Sequence, residues 1–291
     1  MVTIATTQRV YATLPALDRD ILLAKALRKT KEFLYTHPEY QLTLREYLRI
    51  KYYFLLLRRG WPIAYITNHK EFFGLDFYVN RYVLIPRPET ELLVTEAISE
   101  MKKSNAQKTA LVDVGTGSGC IPAAIMQTVK NTNIKTYATD ISYSALYVAR
   151  RNARIHNVSI TFLAGNLLQP LIKKGKKIFF NCEKIILTAN LPYLTEKQFN
   201  SEPSIKAEPH HALVAGDTGT ELYEKLLGQI SELAFSFPKL SFSIFLEIDP
   251  SQTTRISSLV KQHLPTATAE IKPDLANRDR LVIIHLPNRI Q

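Results

Sequence analysis

The sequence contains little cysteine and none of the short spacings that bind metals. Its 291 residues include two cysteines, Cys120 and Cys182, which are too few for a disulfide framework. Neither a Cys-x-x-Cys nor a His-Glu-x-x-His segment occurs, and the adjacent His210 and His211 are interpreted as a solvated turn. The sequence therefore predicts no metal site and a reduced, cytoplasmic setting.

Long hydrophobic runs are also missing. The longest compact apolar stretch, residues 52–57, has six members, whereas a membrane-spanning helix needs about 20. Residues 1–9 lack the apolar run of a signal peptide. No repeat of fixed period and no RNA-recognition signature occurs. We expect a soluble protein that does not bind a membrane.

Acidic residues are outnumbered, and the formal net charge is +11. Residues 1–85 hold 13 Lys/Arg and 7 Asp/Glu, a net charge of +6; the rest hold 24 and 19, a net charge of +5. The first third is therefore the more basic per residue. This excess favours an anionic partner such as RNA, the ribosome or an acidic protein surface, but a basic protein without such a partner would have the same composition.

The length suits one large domain, or one domain plus a small extra one, and a hydrophobic content of 46% supports a sizeable core. Residues 1–64 are predicted to form a helical domain, because apolar and basic residues recur at helical spacing over residues 18–59, with a break at Pro38. Thr43 and Glu46 form a capping box at the start of the second helical stretch.

Residues 65–86 are predicted to form a β-hairpin that links two domains. Residues 71–79 and 82–85 are rich in aromatic and β-branched side chains, and the turn is expected at Asn80-Arg81.

Residues 87–291 predict an α/β domain, because strands alternate with helices. This pattern is typical of a mostly parallel, doubly wound sheet, in which ligands bind at the carboxyl ends of the strands. The predicted strands are residues 110–114, 135–139, 159–163, 184–189, 243–248, 267–271 and 281–286. The predicted helices with defined bounds are residues 89–102, 142–156, 221–233 and 252–263.

A glycine-rich turn follows the first of these strands. Residues 113–119 read Asp-Val-Gly-Thr-Gly-Ser-Gly, so the glycines have the spacing G-x-G-x-G, whereas the dinucleotide fingerprint is G-x-G-x-x-G. Glycine lets a ligand approach the backbone closely, and Asp113 suits a cationic ligand better than a pyrophosphate. Asp140, at the end of the second strand, can accept both hydroxyls of a ribose. Together these residues point to S-adenosylmethionine.

Residues 190–193, Asn-Leu-Pro-Tyr, follow the fourth strand of the domain. The Asn190 side-chain oxygen and the next backbone carbonyl can both accept hydrogen bonds from one NH2 group, and the Tyr193 ring can cover its flat face. Pro192 stiffens the corner. Two acceptors that hold the hydrogens of a planar nitrogen can aim its lone pair at a methyl donor. An ordinary strand-to-loop turn has the same residue types, but the combination with the glycine loop and Asp140 favours a methyltransferase.

The whole set resembles the class I methyltransferases, and more narrowly the HemK/PrmC family, the protein-glutamine N5-methyltransferases of peptide chain release factors. Residues 85–91, Ile-Pro-Arg-Pro-Glu-Thr-Glu, are the most specific match. Residues 62–66, 71–75, 246–248 and 274–280 also match, so the resemblance extends over residues 18–286.

The resemblance implies that S-adenosylmethionine lies over the glycine-rich loop and that the glutamine of a Gly-Gly-Gln loop inserts beside the Asn-Leu-Pro-Tyr corner. Its amide nitrogen would attack the methyl group in line, without a strong general base. The implied catalytic residues are Asn190, Pro192 and Tyr193. The implied cofactor-binding residues are Gly115, Thr116, Gly117, Ser118, Gly119, Asp140, Asn166, Leu167 and Asn190. The implied substrate-binding residues are Asn190, Leu191, Pro192, Tyr193, Arg87 and Glu89.

Four positions depart from the family pattern, which makes the chain look divergent. Leu191 replaces a proline, Asn166 an aspartate, Leu167 a large aromatic residue and Asp249 a glycine. The Asn-Leu-Pro-Tyr form also resembles the rRNA adenine dimethyltransferases.

Class 1 release factors are the expected partners, and the helical domain is expected to help bind them. Nucleic acid is a possible partner but is not required. The protein is expected to be a monomer. Alternative activities are methylation of adenine N6 in RNA or DNA, methylation of a ribosomal-protein glutamine, and cofactor binding without catalysis. A dehydrogenase is disfavoured by the glycine spacing.

Overall fold

The computed structural model describes residues 2–104, 108–131, 133–179 and 181–289. The chain divides into two compact units, Met1–His69 and Lys70–Gln291. Within the described ranges, no helix has the length and apolar character needed to span a bilayer.

The smaller unit is helical. Its core consists of apolar side chains from α1, α2, α3, α4 and α5, among them the fully buried Leu22 and Phe54. The helices are α1 (Ile4–Val10), α2 (Ala16–Leu27), α3 (Lys31–Thr36), α4 (Leu44–Arg58) and α5 (Ile63–Thr67). The helix α5 thus lies across the domain boundary expected between residues 64 and 65.

Two local features decide where these helices end and begin. The helical stretch before Pro38 is interrupted at Arg28, which has the left-handed φ of 57° and ends α2. The capping box is confirmed: Glu46 Oε2 accepts the Thr43 N–H at 2.8 Å, and Thr43 Oγ1 accepts the Glu46 N–H at 3.3 Å. These bonds satisfy backbone donors that the first turn of α4 would otherwise leave without partners.

The predicted hairpin exists, but its strands and turn were placed wrongly. β1 (Lys70–Phe72) pairs antiparallel with β2 (Leu75–Phe77), and the turn between them is Phe73-Gly74. These residues have φ values of 53° and 70°, and a two-residue hairpin turn of type I′ requires positive φ at both positions.

Residues 82–85, predicted as the second strand, form no strand. Asn80 Oδ1 accepts the Tyr82 N–H at 3.0 Å, and this local turn ends the extended backbone that the aromatic composition had suggested.

The larger unit is a seven-stranded sheet with helices on both faces. The sheet order is β10-β11-β9-β6-β3-β4-β5. Its strands are β3 (Thr109–Val114), β4 (Lys135–Asp140), β5 (Thr161–Ala164), β6 (Lys184–Ala189), β9 (Ser241–Glu247), β10 (Thr268–Pro273) and β11 (Asp279–Leu286). The short strands β7 (Leu194–Thr195) and β8 (Val214–Gly216) pair separately.

The helices of this unit alternate with the strands, as the sequence predicts. They are α6 (Thr90–Lys103), α7 (Cys120–Val129), α8 (Tyr143–Ile155), α9 (Gln169–Lys173), α10 (Gly175–Phe179), α11 (Glu196–Ser201), α12 (Glu221–Ser236) and α13 (Thr253–His263). The expectation of a mostly parallel, doubly wound sheet is confirmed, since β3, β4, β5, β6 and β9 are parallel. Among the described strands of this sheet only β11 runs in the opposite direction, and it pairs antiparallel with both β9 and β10.

The strand order reverses between β3 and β6. β4 and β5 follow β3 in sequence and lie on one side of it in the sheet. The chain then crosses back, and β6 pairs with the other side of β3. In open α/β sheets a crevice forms at such a switch point, outside the carboxyl ends of the strands. The residues that follow β3, β4, β6 and β9 therefore come together at one edge of the sheet.

We predict that Leu187→Ala lowers the free energy of unfolding of the larger unit by about 2–5 kcal/mol, as loss of a buried leucine leaves a cavity. Leu187 is fully buried in β6. Urea denaturation followed by circular dichroism measures the change. Leu275→Ala is the matched control because Leu275 is fully exposed; equal midpoints for the two variants would contradict the assignment of the core.

Candidate active site

A cleft of about 390 Å³ lies at the switch point of the sheet. Its wall includes most of the residues that the sequence singled out. These are Arg87, Gly115, Thr116, Gly117, Ser118, Asp140, Asn166, Leu167, Asn190, Leu191 and Pro192. The fold thus brings together side chains that are separated by up to 105 positions in the sequence.

The glycine-rich loop forms the floor of the cleft. Gly115, Gly117 and Gly119 have φ values of 72°, 53° and 77°, which glycine adopts without the penalty that other residues meet. The N–H groups of Gly115 and Thr116 donate to the Thr139 carbonyl at 2.9 and 3.0 Å. These bonds attach the start of the loop to the end of β4, and a further bond from the Gly119 N–H to the Thr116 carbonyl at 2.8 Å closes the turn before α7.

Close packing joins this loop to the Asn-Leu-Pro-Tyr corner. A Cβ atom on Gly115 would lie 2.8 Å from Leu191 Cδ2, a distance that carbon atoms do not tolerate. Leu191 is buried, so its side chain fills the space that glycine leaves. The loop and the corner therefore hold each other in place.

Asp140 occupies the carboxyl end of β4. Its Oδ2 accepts the Gly117 N–H and its Oδ1 accepts the Ser142 N–H, both at 2.8 Å. Each oxygen keeps a further lone pair, so the carboxylate can accept hydrogen bonds from two hydroxyls of a ligand. Burial raises the pKa of Asp140, although the two backbone hydrogen bonds oppose this change.

Asp113 lies under the loop, fully buried and not on the cleft wall. Burial raises its pKa to about 6, and the neighbouring charge of Asp140 acts in the same direction. The Thr188 hydroxyl donates to Asp113 Oδ1 at 2.7 Å, which opposes the increase. The buried Asp113 and the partly buried Asp140 beside one loop create a negative potential that favours a cation in the cleft.

The far side of the cleft is mainly apolar. Ile141, Ala145 and Leu167 lie there together with Asn166. Leu167 has a positive φ of 52°, and Gln229 Oε1 accepts the next backbone N–H, that of Leu168, at 2.7 Å. This bond stabilises the unusual backbone at the position where the family pattern expects an aromatic residue.

Asn190 follows the last residue of β6 and lies on the cleft wall. Its Nδ2 donates to the Thr90 hydroxyl oxygen at 3.0 Å. One of its two N–H bonds is used in this way, which orients the amide, and the side-chain oxygen Oδ1 is available as an acceptor for a ligand. Asn190 can therefore act as a fixed acceptor.

Tyr193 does not line the cleft. Its ring is half-buried against the hydrophobic core, and burial and the charge of Glu247 raise the pKa of its hydroxyl to about 12. Gly119 and Glu89 also lie outside the cleft wall; Glu89 is exposed at the start of α6. Roles for these three residues in binding or catalysis stay predictions.

Arg87 lies on the cleft wall, where it forms an ion pair with the buried carboxylate of Glu208. The second oxygen of Glu208, Oε2, accepts the Ile85 N–H at 3.0 Å. Glu208 thus holds residues 85–87 beside the segment that follows α11. A role of Arg87 in substrate binding stays a prediction.

Sequence reasoning missed several residues of this site. Thr90 and both His210 and His211 line the cleft, and Glu208 anchors its wall. Thr90 was part of the quoted motif but was given no role, and the histidines were interpreted as a solvated turn. No signal in the sequence singled out Glu208, since Glu196 and Glu202 lie in the same segment.

The donor set fits S-adenosylmethionine. The carboxylate of Asp140 suits the ribose hydroxyls, the apolar side chains suit the adenine ring, and the buried acids suit the positive sulfonium. The parallel sheet with its antiparallel β10-β11 end, the glycine loop and this cleft define a class I S-adenosylmethionine-dependent methyltransferase.

Comparisons with known proteins place the chain more narrowly. Residues 89–182 match the "Methyltransferase small domain" family and residues 7–67 match the "PrmC N-terminal domain" family. Over 269 aligned residues the chain is 32% identical to the release factor glutamine methyltransferase of Dictyoglomus turgidum. The alignment covers 91% of this chain and 89% of the relative. The corresponding enzyme of Staphylococcus aureus is 35% identical, with 77% and 75% covered.

The chain therefore belongs to the release factor glutamine methyltransferase family. Among solved structures, the hMettl16 catalytic domain in complex with a MAT2A 3'UTR hairpin superimposes with a TM-score of 0.54 at 16% identity, covering 87% of this chain and 92% of that chain. At this identity the likeness shows the fold alone.

We predict that Asp140→Ala weakens S-adenosylmethionine binding by roughly tenfold or more, because the ribose loses a charge-assisted acceptor. Isothermal titration calorimetry measures the dissociation constant. Glu270→Ala is the control, since Glu270 is exposed on the edge strand β10. An unchanged dissociation constant in a folded Asp140→Ala protein would refute the role of Asp140.

Proposed function

We propose that this enzyme transfers the methyl group of S-adenosylmethionine to the side-chain amide nitrogen of the glutamine in the Gly-Gly-Gln motif of class 1 release factors. The relatives named for release factor glutamine methylation support this substrate. The observation that carries the proposal is the orientation of Asn190, whose nitrogen donates to Thr90 and whose oxygen is left as an acceptor in the cleft.

An acceptor at this point suits an amide nucleophile. The lone pair of an amide nitrogen is delocalised into its carbonyl, so the nitrogen attacks poorly unless it is held in a reactive geometry. Asn190 Oδ1 would accept one of the two N–H bonds and restrict rotation of the NH2 group. Positioning of this kind lowers the barrier because the reacting atoms meet already aligned.

The second acceptor is expected to be the Leu191 carbonyl. The Tyr223 hydroxyl lies 3.4 Å from this oxygen but makes its shorter hydrogen bond to the Glu247 backbone carbonyl. The Leu191 carbonyl can therefore take another donor. Pro192 keeps the corner rigid because its ring restricts its own φ.

The transfer needs no strongly basic residue. The cofactor, when bound, supplies a methyl group on a positively charged sulfur that leaves as a neutral thioether. Asp113 and Asp140 favour the charged form of the ligand in the cleft, and Asn190 holds the acceptor nitrogen. The proton on the methylated amide is acidic and can pass to water after the methyl group has moved.

The proposal extends to the partner and the setting. The smaller unit would bind the release factor outside the Gly-Gly-Gln loop, and its excess of basic residues suits an acidic protein surface. We propose that the enzyme acts as a monomer in the cytoplasm, where a release factor is available before it enters the ribosome. Arg87 and Glu89 would contact the inserted loop, and the Tyr193 ring would help to position it.

We predict that Asn190→Ala lowers kcat by about 10²-fold or more, as loss of a preorganised hydrogen bond to reacting groups typically does. Mass spectrometry of a release factor incubated with enzyme and S-adenosylmethionine measures the product. The expected result is the mass of one CH2 gained on the Gly-Gly-Gln peptide with the wild type and strongly delayed with the variant.

Asn133→Ala is the matched control, because Asn133 is exposed before β4, at the edge of the sheet away from the cleft. Equal turnover by Asn190→Ala and wild type would contradict the role of Asn190. If the wild type binds the cofactor but adds no methyl group, the substrate is another glutamine-bearing protein or an adenine in nucleic acid.

A further inference from the structure

We propose that the outer face of α8 binds single-stranded RNA. This surface, which we name the Tyr/Arg face, consists of five exposed residues of the helix: Tyr143, Tyr147, Arg150, Arg151 and Arg154. None of them was given a role by the sequence or by the cleft. The inference goes beyond the proposed function and does not depend on it, because it concerns binding at a surface outside the cleft.

The helical geometry brings the five side chains to one side of α8. At 3.6 residues per turn they fall within an arc of about 100°. The opposite side carries the buried residues Leu146, Ala149 and Ala153, and the helix packs against α7, β4 and β5. Because one side of the helix is fixed in the core, the Tyr/Arg face points outward.

The two tyrosines present their rings to solvent. Tyr143 and Tyr147 are 76% and 69% exposed, whereas Leu146 between them is fully buried. Unpaired bases stack on exposed aromatic rings, and each stacked base contributes several-fold to affinity with little dependence on sequence. The tyrosines are spaced four residues apart, so one turn of the helix offers two such rings.

The charge around these rings has one sign. No Asp or Glu occurs from residue 141 to residue 182, and within the described ranges Arg150, Arg151 and Arg154 take part in no salt bridge. Their guanidinium groups are therefore available to phosphate oxygens, which they can bind in bidentate geometry.

A second segment, residues 78–82, extends the Tyr/Arg face. Asn152, on the buried side of α8, fixes its start: Asn152 Oδ1 accepts the Tyr78 N–H at 2.8 Å, and its Nδ2 donates to the Tyr78 carbonyl at 2.9 Å. The Arg151 guanidinium carbon also lies 3.6 Å from the centre of the Tyr78 ring. The helix and this segment thus form one continuous surface.

The end of the segment joins this surface to the cleft. Tyr82 is 44% exposed and lines the cleft, and an Arg81 N–H group donates to its hydroxyl at 3.1 Å. Ile141, two residues before Tyr143, is 64% exposed and also lines the cleft. Residues 77–88 contain no acid either. A strand bound along α8 would therefore reach the mouth of the cleft.

The combination of rings and guanidinium groups favours RNA over an acidic protein surface. Carboxylates need only the positive charges, whereas the unpaired bases of a single strand use the exposed rings as well. The hydroxyl at the edge of each tyrosine ring can bond a ribose 2′-hydroxyl, which DNA lacks. The helix from Tyr143 to Arg154 is about 17 Å long, which is enough for a short stretch of the strand.

The charge test compares two double variants by fluorescence anisotropy of a labelled, unstructured RNA of about 12 nucleotides. Arg150→Gln with Arg154→Gln should weaken binding about tenfold and make the dependence of log K on log[salt] shallower by about 1.4, because two phosphate contacts are lost. Arg45→Gln with Arg59→Gln is the matched control, since both arginines are exposed in the smaller unit and the net charge changes equally.

The ring test uses single variants of Tyr147 in the same assay. Tyr147→Ala should weaken binding about fivefold or more, because one stacked base loses its ring. Tyr147→Phe keeps the ring and should retain stacking, with a smaller preference for RNA over DNA of the same sequence. Tyr52→Ala is the control, since Tyr52 is 57% exposed on α4. An unchanged dissociation constant for S-adenosylmethionine shows that each variant is folded.

Four results would overturn the inference. Equal loss of affinity in the two arginine double variants would show that only net charge matters. Wild-type affinity in Tyr147→Ala would remove the stacking role, and equal affinity of the wild type for RNA and DNA would remove the choice of RNA. A polyglutamate peptide that displaces the RNA as well as unlabelled RNA of equal charge does would point to an acidic protein surface instead. None of these measurements involves methyl transfer, so their outcome is independent of the proposed function.

Discussion

The contact between Gly115 and Leu191 is the constraint on which the rest of the site depends. One residue belongs to the loop after β3 and the other to the corner after β6, and these strands are parallel neighbours. A Cβ atom on Gly115 would lie 2.8 Å from Leu191 Cδ2, so the leucine side chain would have to move to admit it. The loop proposed to receive the cofactor and the corner proposed to receive the acceptor are therefore placed relative to each other by van der Waals contact. A methyl transfer needs such an arrangement, since donor and acceptor must meet in line.

Electrostatics acts on the same edge of the sheet. Asp113 lies one residue before the end of β3, and Asp140 and Glu247 are the last residues of β4 and β9. Burial raises the pKa of each of the three carboxyl groups. Carboxyl groups in such places lower the stability of the empty protein when they are ionised. A cationic ligand offsets part of this cost, so the site is better suited to a charged methyl donor than to its neutral product. The difference favours release of the product after transfer.

The sequence predicted the sheet well because its central strands are buried on both faces. Residues 184–189, Lys-Ile-Ile-Leu-Thr-Ala, are mostly apolar and β-branched, as a strand buried on both faces requires, and the observed β6 has these bounds. The hairpin was misplaced because the aromatic-rich composition continues past residue 79. In the structure the strands pair where the backbone turns with positive φ at Phe73 and Gly74, and the local turn at Asn80 ends the extended backbone.

The supporting residues of the site could not be predicted in this way. Thr90 lies 100 positions from Asn190, and Glu208 lies 121 positions from Arg87. Neither pairing leaves a periodic signal in the sequence, because each depends on how separate elements pack. The loop, Asp140 and the corner were recognisable because their chemistry is carried by short segments. The close fit of Gly115 and Leu191 also restricts which residues the chain can accept at residue 115: a Cβ atom there fits only if the Leu191 side chain moves or becomes smaller, and the φ of 72° favours glycine in either case.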